Sequence, residues 1–227
     1  MVLILGATSD MALAFTNLAI ITWSKCTFHL LARNTLLLHD IKTRAETLGH
    51  HVHLHTYDLL DPPEISFTGI EYYIAYAGWL PPNNNMPEIT MQVNSLAIQA
   101  FTNKLFDTNR HTLEHIIVTG SVAGVRVRPS NKAYGMAKAH LHAWVKMFQK
   151  QNDKYVTSSL VIPGYVKTKM IAGHKTPGLL TTTPQKMAVK YLEWLITKPA
   201  VTYSQPVWQL IAIILQMLPG FVTKRLK

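Results

Sequence analysis

Cysteine is almost absent from this sequence, and acidic residues are few. The single cysteine, Cys26, cannot form an internal disulfide and has no metal-ligand neighbours. A reducing, cytoplasmic location without a metal site is therefore expected. The chain carries 22 Lys and Arg against 12 Asp and Glu. Because these cations are scattered and form no basic run, the sequence predicts no nucleic-acid partner.

Apolar runs long enough to cross a bilayer, which takes about 20 residues, are also missing. The first run, Met1–Gly6, lacks the basic segment and the cleavage site of a signal peptide. A C-terminal run, Val207–Leu218, can pack on a sheet, contact another subunit, or lie at a membrane surface. In the last case Trp208, Lys224 and Arg225 would sit among the headgroups. Peripheral contact at the inner membrane face is thus the alternative to a purely cytoplasmic location.

Short β-rich runs alternate with longer helical patterns along the chain. Helical segments between consecutive strands imply crossover connections and a parallel sheet. The sequence predicts a single doubly wound, three-layer α/β/α Rossmann-type domain of about seven strands over residues 1–205, with an apolar helical tail and basic end over 206–227. The predicted strands are Val2–Leu5, Phe28–Ala32, Val52–Thr56, Tyr72–Ala77, His115–Thr119, Thr157–Ile162 and Val201–Ser204. The main predicted helices cover residues 10–21, 36–48, 95–107, 133–149 and 184–196.

The first predicted strand turns into the first helix through a single glycine, Gly6. A glycine there permits a tight turn, and the helix N-terminus can receive a pyrophosphate. The motif is degenerate, because Asp10 and Ala12 stand where further glycines are expected. The alternative is an ordinary strand–helix turn with Ser9 or Asp10 as N-cap. The candidate cofactor contacts in this turn are Gly6, Thr8, Ser9, Asp10 and Met11.

The second predicted strand ends at Ala32 and Arg33 without an acidic residue. An acid at that place would bind the ribose 2′-OH of NAD. Arg33 can instead pair with a 2′-phosphate, for which Ala32 leaves room. Thr8 and Ser9 can add hydroxyl contacts to the same phosphate. NADP(H) is therefore the predicted cofactor.

Tyr134 and Lys138 share one face of a predicted helix, because they are spaced i, i+4. An ammonium beside a phenol stabilises the phenolate, which predicts a lowered pKa for Tyr134. Such a phenol suits general acid/base catalysis of carbonyl–alcohol exchange. Ser121, at the end of the fifth strand, can donate to a carbonyl oxygen. The Asn94 amide can hold the helix backbone and a water near the lysine.

The order of these motifs resembles the short-chain dehydrogenase/reductase family over residues 1–205. The resemblance implies a catalytic tetrad, in which the tyrosine is the acid/base, the serine orients the substrate, and the lysine binds the nicotinamide ribose. Tyr134 and Lys138 are therefore predicted cofactor contacts as well. The motifs are the turn at Gly6, Asp58-Leu59, Ala77-Gly78, Asn94, Ser121, Tyr134, Lys138 and Pro163–Thr168.

The same resemblance implies further cofactor contacts. Asp58–Leu59 matches the family's adenine-contacting pair, and Gly78, after Ala77, lets the backbone approach the adenosine ribose. Ala75 and Tyr76 replace the two asparagines that the family has before that Ala-Gly pair, which can alter cofactor affinity.

The stretch Pro163–Thr168 resembles the family's P-G-x-V-x-T segment. Pro163 and Gly164 begin it, and the resemblance implies that the Val166 backbone and the Thr168 hydroxyl hold the cofactor carboxamide. The short basic segment that follows takes the position of a substrate lid. His174 or Lys175 in that segment either meets an anionic substrate group or lies in a solvated loop.

The family resemblance also implies a homodimer or homotetramer formed through the helices Ser95–Asp107 and Ala133–Gln149. The tail resembles, through Trp208 and Leu218-Pro219, the family branch that reduces a keto-pentose on a polyprenyl-phosphate carrier. A lipid-linked substrate thus stands beside a small-molecule carbonyl or alcohol.

The predicted function is hydride transfer between NADP(H) and a carbonyl or secondary alcohol, with Asn94, Ser121, Tyr134 and Lys138 as the catalytic residues. Two alternatives remain open. One is a non-catalytic NADP-binding sensor or scaffold, and the other is a membrane-surface reductase of a lipid-linked sugar.

Overall fold

Parallel strands form the central sheet that the alternating pattern predicts. A computed structural model describes residues 1–81, 86–173 and 176–217. The strands are β1 Val2–Leu5, β2 Thr27–Ala32, β3 His51–Thr56, β4 Tyr72–Ala75, β5 His115–Thr119, β6 Thr157–Ile162, β7 Tyr165–Val166, β8 Thr181–Thr182 and β9 Val201–Tyr203. The main sheet has seven strands in the order β3-β2-β1-β4-β5-β6-β9, while β7 and β8 pair separately. The predicted doubly wound topology is confirmed.

Helices connect these strands and cover the sheet. They are α1 Asp10–Thr22, α2 His39–Thr47, α3 Pro87–Met91, α4 Ala97–Asn109, α5 Lys132–Asn152, α6 Pro184–Thr197 and α7 Pro206–Met217. The side chains of Ser9 and Thr183 cap α1 and α6, respectively, by accepting hydrogen bonds from backbone N–H groups of the first turn. Pro184 is tolerated in that first turn because its missing N–H would have no helical partner.

Two hydrophobic cores lie on the two faces of the sheet. Every residue of β1 is buried, as expected for a central parallel strand. Its side chains alternate: Val2 and Ile4 enter the core beneath α1 and α6, and Leu3 and Leu5 enter the core beneath α4 and α5. This alternation confirms the three-layer arrangement.

Some element boundaries differ from the prediction. β4 ends at Ala75 rather than Ala77, where the chain leaves the sheet toward the turn at Gly6. Pro87–Leu96 is helical although no helix was predicted before Ser95, and its last turn, Gln92–Leu96, is a π-helix. The strands β7 and β8 were also missed, because two-residue strands carry no periodic signal.

The C-terminal run forms α7, and one face of this helix packs on the domain. Trp208 and Ala212 are buried, and the Trp208 indole N–H donates to the Leu180 carbonyl at 2.9 Å. The indole also fills the space over Gly164 and leaves no room for a Cβ there. The opposite face is exposed and apolar, with Leu210, Ile213, Ile214 and Met217.

What covers this outer face, a second subunit or a membrane surface, stays a prediction. Within residues 1–81, 86–173 and 176–217, no helix combines the length and the apolar character needed to span a bilayer. The predicted contacts at His174, Lys175, Lys224 and Arg225, and the Leu218-Pro219 pair of the tail, lie outside the described residues.

Gly6 is under both conformational and steric constraint. Its φ is +80°, and a Cβ there would lie 2.7 Å from the Ala77 backbone nitrogen. Gly6→Ala is therefore expected to lower the free energy of unfolding by about 3 kcal/mol, measured by urea denaturation.

Two other glycines distinguish the effect of backbone strain from the effect of steric crowding. Gly173 has φ +86°, but no described residue lies within 4 Å of its Cβ position, so Gly173→Ala should cost about 1 kcal/mol from strain alone. The Cβ position of Gly178 is likewise clear of the described residues, and its φ is not in the left-handed region, so Gly178→Ala should cost less than about 0.5 kcal/mol. Equal losses in the three variants would contradict the close approach of Gly6 to Ala77.

Candidate active site

A groove of about 620 Å³ opens at the carboxyl ends of β1, β2, β3 and β4. The strand order reverses between β1 and β4, and ligands of doubly wound folds bind at such a switch point. Most of the predicted cofactor residues meet in this groove. Those that line it are Gly6, Thr8, Ser9, Asp10, Met11, Arg33, Asp58, Leu59, Ala77, Gly78 and Thr168.

The glycine turn is fixed to the neighbouring strand by backbone hydrogen bonds. The N–H groups of Gly6 and Ala7 donate to the Leu31 carbonyl at 2.9 and 3.0 Å. Ser9 then caps α1, since its hydroxyl oxygen accepts from the Ala12 N–H at 3.2 Å. Of the two possible N-caps, the structure selects Ser9. The turn therefore keeps a capped helix and still lines the groove.

Asp10 makes a contact that sequence reasoning missed. Its carboxylate accepts a hydrogen bond from the Lys169 backbone N–H at 2.6 Å. The bond joins the first turn of α1 to the segment that follows Thr168, on the other side of the groove. The residue that replaces a family glycine thus holds the two walls of the groove together.

Arg33 and Asp58 lie at the ends of β2 and β3. Arg33 is exposed, and no salt bridge engages it within the described part of the chain. The Asp58 carboxylate accepts from the Leu60 N–H at 3.0 Å, which fixes the turn that presents Leu59 to the groove. The guanidinium of Arg33 is therefore available to an anionic group in the groove.

Packing in the core explains why Tyr76 stands where the short-chain dehydrogenases have an asparagine. Its ring lies 4.6 Å from the Tyr191 ring and 6.1 Å from the Phe15 ring, measured between centroids. Tyr76 is buried, so it fills the core beneath the groove, and its ring also forms part of the groove floor.

The predicted catalytic side chains meet where β5 ends above α5. Ser121 and Tyr134 are joined by a side-chain hydrogen bond. The Ser121 hydroxyl oxygen also accepts from the Ala123 N–H at 3.2 Å. The Lys138 ammonium lies 5.9 Å from the centre of the Tyr134 ring and donates to the Thr119 carbonyl at 3.2 Å. The i, i+4 spacing therefore does place Tyr134 and Lys138 together.

The pKa of Tyr134 shifts in the direction opposite to the prediction. Burial raises it, and the hydrogen bond with Ser121 opposes this effect. Burial also lowers the pKa of Lys138 from its ordinary 10.5 to about 8. The sequence could show that the ammonium and the phenol are neighbours, but not that both are almost completely withdrawn from water.

Asn94 holds the loop that follows β4 and the backbone of α3, while the predicted water near the lysine stays a prediction. Its amide group donates to the carbonyls of Trp79 and Thr90 at 2.8 and 3.0 Å, and its oxygen accepts from the Trp79 N–H at 2.9 Å. A Cβ at Gly78 would lie 3.3 Å from the Asn94 oxygen and 3.6 Å from the Lys138 nitrogen. Gly78 therefore lies both at the groove and next to the Lys138 ammonium.

The Pro163–Thr168 stretch runs from the turn that contains Ser121 to the groove. The Pro163 carbonyl accepts from the Val122 N–H at 3.0 Å, and the Gly164 N–H donates to the Ser204 hydroxyl at 3.0 Å. Val166 is buried in β7, whereas Thr168 lines the groove. The stretch is thus placed between the end of β5 and the predicted cofactor site.

Sequence reasoning missed several groove residues and one catalytic neighbour. The Ser121 backbone N–H donates to the Nε2 atom of His142 at 3.2 Å. A repeated four-residue spacing from Tyr134 through Lys138 to His142 was the available signal. The missed groove residues are mostly apolar: Trp79, Met86, Ile89, Val93 and Met170. Across residues 1–81, 86–173 and 176–217, no group of three or more His, Cys, Asp or Glu is arranged to hold a metal ion.

The buried Lys138 ammonium predicts a gain in stability when its charge is removed. Lys138→Met should raise the free energy of unfolding by roughly 3 kcal/mol at pH 7. Because the unfolded lysine keeps its proton up to about pH 10.5, the gain should be full below pH 8 and shrink between pH 8 and 10.5. Urea denaturation across this pH range measures it.

Lys146→Met, an exposed position on the same helix, is the matched control and should show no such gain. Unchanged stability of Lys138→Met at pH 7 would contradict the burial of a charged lysine.

The sequence and the fold both resemble known oxidoreductases. Residues 82–177 match the family model of the short chain dehydrogenases. An uncharacterized oxidoreductase of Mycobacterium tuberculosis is 31% identical over 112 residues, which are 49% of this chain and 45% of that protein. The matched part thus spans less than half the length of the curated relatives.

Solved structures share the fold over nearly the whole chain. A short chain dehydrogenase from Burkholderia cenocepacia, in complex with NADP, has a TM-score of 0.81 at 16% identity and covers 99% of this chain and 96% of its own. One from Sphingobium yanoikuyae, in complex with NADPH, has a TM-score of 0.77 at 17% identity and covers 96% of each chain. Residues 82–177 are thus similar to the short chain dehydrogenases, and the whole chain shares their fold.

Proposed function

We propose that this protein is an NADP(H)-dependent oxidoreductase that interconverts a carbonyl and a secondary alcohol. The observation that carries the proposal is the joint position of three groups. The hydroxyls of Ser121 and Tyr134 are hydrogen-bonded to each other, and the Lys138 ammonium lies on the same helix face. A carbonyl oxygen placed against both hydroxyls would be polarised and could receive a proton.

The groove suits a dinucleotide in its volume and in the hydrogen-bond donors that line it. Its volume of about 620 Å³ lies in the range of cofactor sites. Gly6 and Gly78 leave backbone free of side chains at two points, and Arg33 offers a guanidinium to a 2′-phosphate. Two structural neighbours were solved with NADP or NADPH, which supports the same cofactor here.

The bound cofactor would supply or accept the hydride, while the protein manages the proton. The Ser121 hydroxyl would orient the substrate oxygen, and the Tyr134 hydroxyl would donate its proton to that oxygen during reduction. Because burial raises the pKa of Tyr134, the phenol is protonated at neutral pH. This state favours the role of acid, which is the role that carbonyl reduction requires.

Lys138 would favour the loss of this proton at the moment of reaction. Its ammonium is buried, so its attraction to a developing phenolate is little screened by water. Asn94 contributes by holding the loop that carries Gly78, next to the lysine nitrogen. By family resemblance we assign the nicotinamide end of the cofactor to Lys138 and to the stretch from Pro163 through Gly164 and Val166 to Thr168.

The substrate we propose is a small carbonyl compound or alcohol with an apolar substituent. The groove is also lined by the apolar side chains of Trp79, Met86, Ile89 and Met170, and apolar contacts with them would hold such a substituent. A lipid-linked sugar, and a contact of the exposed face of α7 with a membrane or another subunit, stay predictions.

Tyr134→Phe separates the enzyme from a non-catalytic NADP-binding protein. This variant should lose turnover by about 1,000-fold or more, because the phenol hydroxyl that would exchange the proton is removed. NADPH affinity should change less than about twofold, since the phenol hydroxyl belongs to the reaction and not to the groove. Fluorescence titration of NADPH and oxidation of NADPH with a panel of aryl ketones measure the two quantities.

Retained turnover in Tyr134→Phe would contradict the assigned acid. Loss of NADPH binding together with activity would instead indicate a structural role for the hydroxyl.

Arg33→Ala tests the preference for NADP(H). Removal of the guanidinium should weaken NADPH binding about 10-fold to 100-fold, because a charge-assisted contact with the 2′-phosphate is lost. NADH affinity should change less than about twofold, since NADH has no such phosphate. Arg110→Ala, at the far end of α4, is the control and should affect neither cofactor. An equal loss for both cofactors would contradict the role given to Arg33.

A further inference from the structure

A buried histidine contacts the backbone of the proposed substrate-orienting serine. His142 lies one helical turn after Lys138 on α5 and is only 7% exposed. Its Nε2 atom accepts the hydrogen bond from the Ser121 N–H at 3.2 Å. His142 lies outside the set of groove-lining residues. Its contact is therefore with the turn that contains Ser121 and not with the cofactor groove.

The turn around Ser121 is shaped to admit this imidazole. A Cβ at Gly120 would lie 2.3 Å from the His142 Nε2 atom, and a Cβ at Gly124 would lie 2.8 Å from its Cε1 atom. Any side chain at either glycine would therefore displace the ring or the turn. Two glycines flank the turn, and both face the same histidine.

The geometry also defines the protonation state of the ring. A nitrogen that accepts a hydrogen bond carries no proton, so His142 has to be the neutral Nδ1–H tautomer. Burial, with Lys138 and Lys146 as nearby positive charges, lowers the pKa of His142 to about 3. The imidazole therefore stays an acceptor throughout the neutral pH range.

We propose that His142 is a positioning residue, whose neutral imidazole fixes the Ser121 backbone and thereby aims the Ser121 hydroxyl at Tyr134 and at the substrate oxygen. The assignment rests on the proposed function. The Ser121 hydroxyl contacts Tyr134 and the Ala123 N–H, and the Ser121 carbonyl accepts from the Gly124 N–H. The bond to His142 adds a contact between the Ser121 backbone and α5, the helix that carries Tyr134 and Lys138.

Loss of the acceptor would leave a partly buried Ser121 N–H without its partner. The turn would shift to find another one, and the hydroxyl would move relative to the phenol. Displacements of about 1 Å at a reacting group can reduce rates by about 100-fold. Because His142 does not line the cofactor groove, the affinity of the protein for NADPH should not change.

The contact itself can be tested without any turnover. Nitrogen NMR of the imidazole in the full chain should show His142 as the neutral Nδ1–H tautomer at every pH from about 5.5 to 8. Hydrogen exchange of the Ser121 amide should be slow in the wild type and in His142→Gln, whose side-chain oxygen can accept the same bond, and faster in His142→Leu. A histidine that titrates with an ordinary pKa, or a Ser121 amide indifferent to both variants, would overturn the proposal.

Kinetics then test the positioning role. With NADPH and acetophenone as the probe pair, His142→Leu should lower kcat about 10-fold to 100-fold with an unchanged dissociation constant for NADPH. His142→Gln should recover most of this loss. His140→Leu, at an exposed position of the same helix, is the matched control and should retain wild-type kcat. Equal kcat losses in the Leu and Gln variants, or no loss in either, would contradict positioning through the hydrogen bond.

Failure of the proposed function would look different. A wild-type protein that neither binds NADPH nor reduces any carbonyl would overturn that function alone. The NMR and exchange measurements would still decide whether His142 holds the Ser121 backbone.

Discussion

One face of α5 lies against the carboxyl end of β5, and the proposed chemistry depends on this contact. Tyr134 and Lys138 project from that face with His142, one turn apart from each other, and all three are buried. A lysine in this environment is costly, because its charge has left water with the Thr119 carbonyl as its described hydrogen-bond acceptor. Fully buried strands such as Val2–Leu5 contribute the stability that offsets this cost.

Most of the fold could be predicted from the sequence, because its strands and long helices carry strong periodic signals. β1 and β5 were placed at their observed limits, and α1 begins at the predicted Asp10. The candidate site followed from the same logic, since residues after consecutive parallel strands meet at one edge of the sheet. Elements without periodicity, such as the π-turn Gln92–Leu96 and the pair β7–β8, could not be found in this way.

The burial of the site residues was harder to predict than which of these residues are neighbours. The spacing of Tyr134 and Lys138 predicted that they are neighbours, but the direction of the Tyr134 pKa depends on how much water reaches it, which is set by distant packing. His142 carried a helical spacing but no recognisable motif, so only the three-dimensional contact with Ser121 gave it a role. The reason for a departure from a known motif could not be predicted either. Tyr76 is an example, because its ring packs in the core against Tyr191.

The hydrogen bond from Lys169 to Asp10 has a consequence for cofactor selection. A carboxylate in the first turn of α1 already interacts with the positive end of the helix dipole, which would otherwise attract a diphosphate. If a dinucleotide binds as proposed, the part that NAD and NADP have in common would therefore meet a partly neutralised helix end. Selectivity is the difference between the affinities for NADP and NAD. If the shared diphosphate contributes little to binding, this difference depends on contacts with the 2′-phosphate, which only NADP has. In such a groove, discrimination between the two cofactors would fall to Arg33, which follows β2.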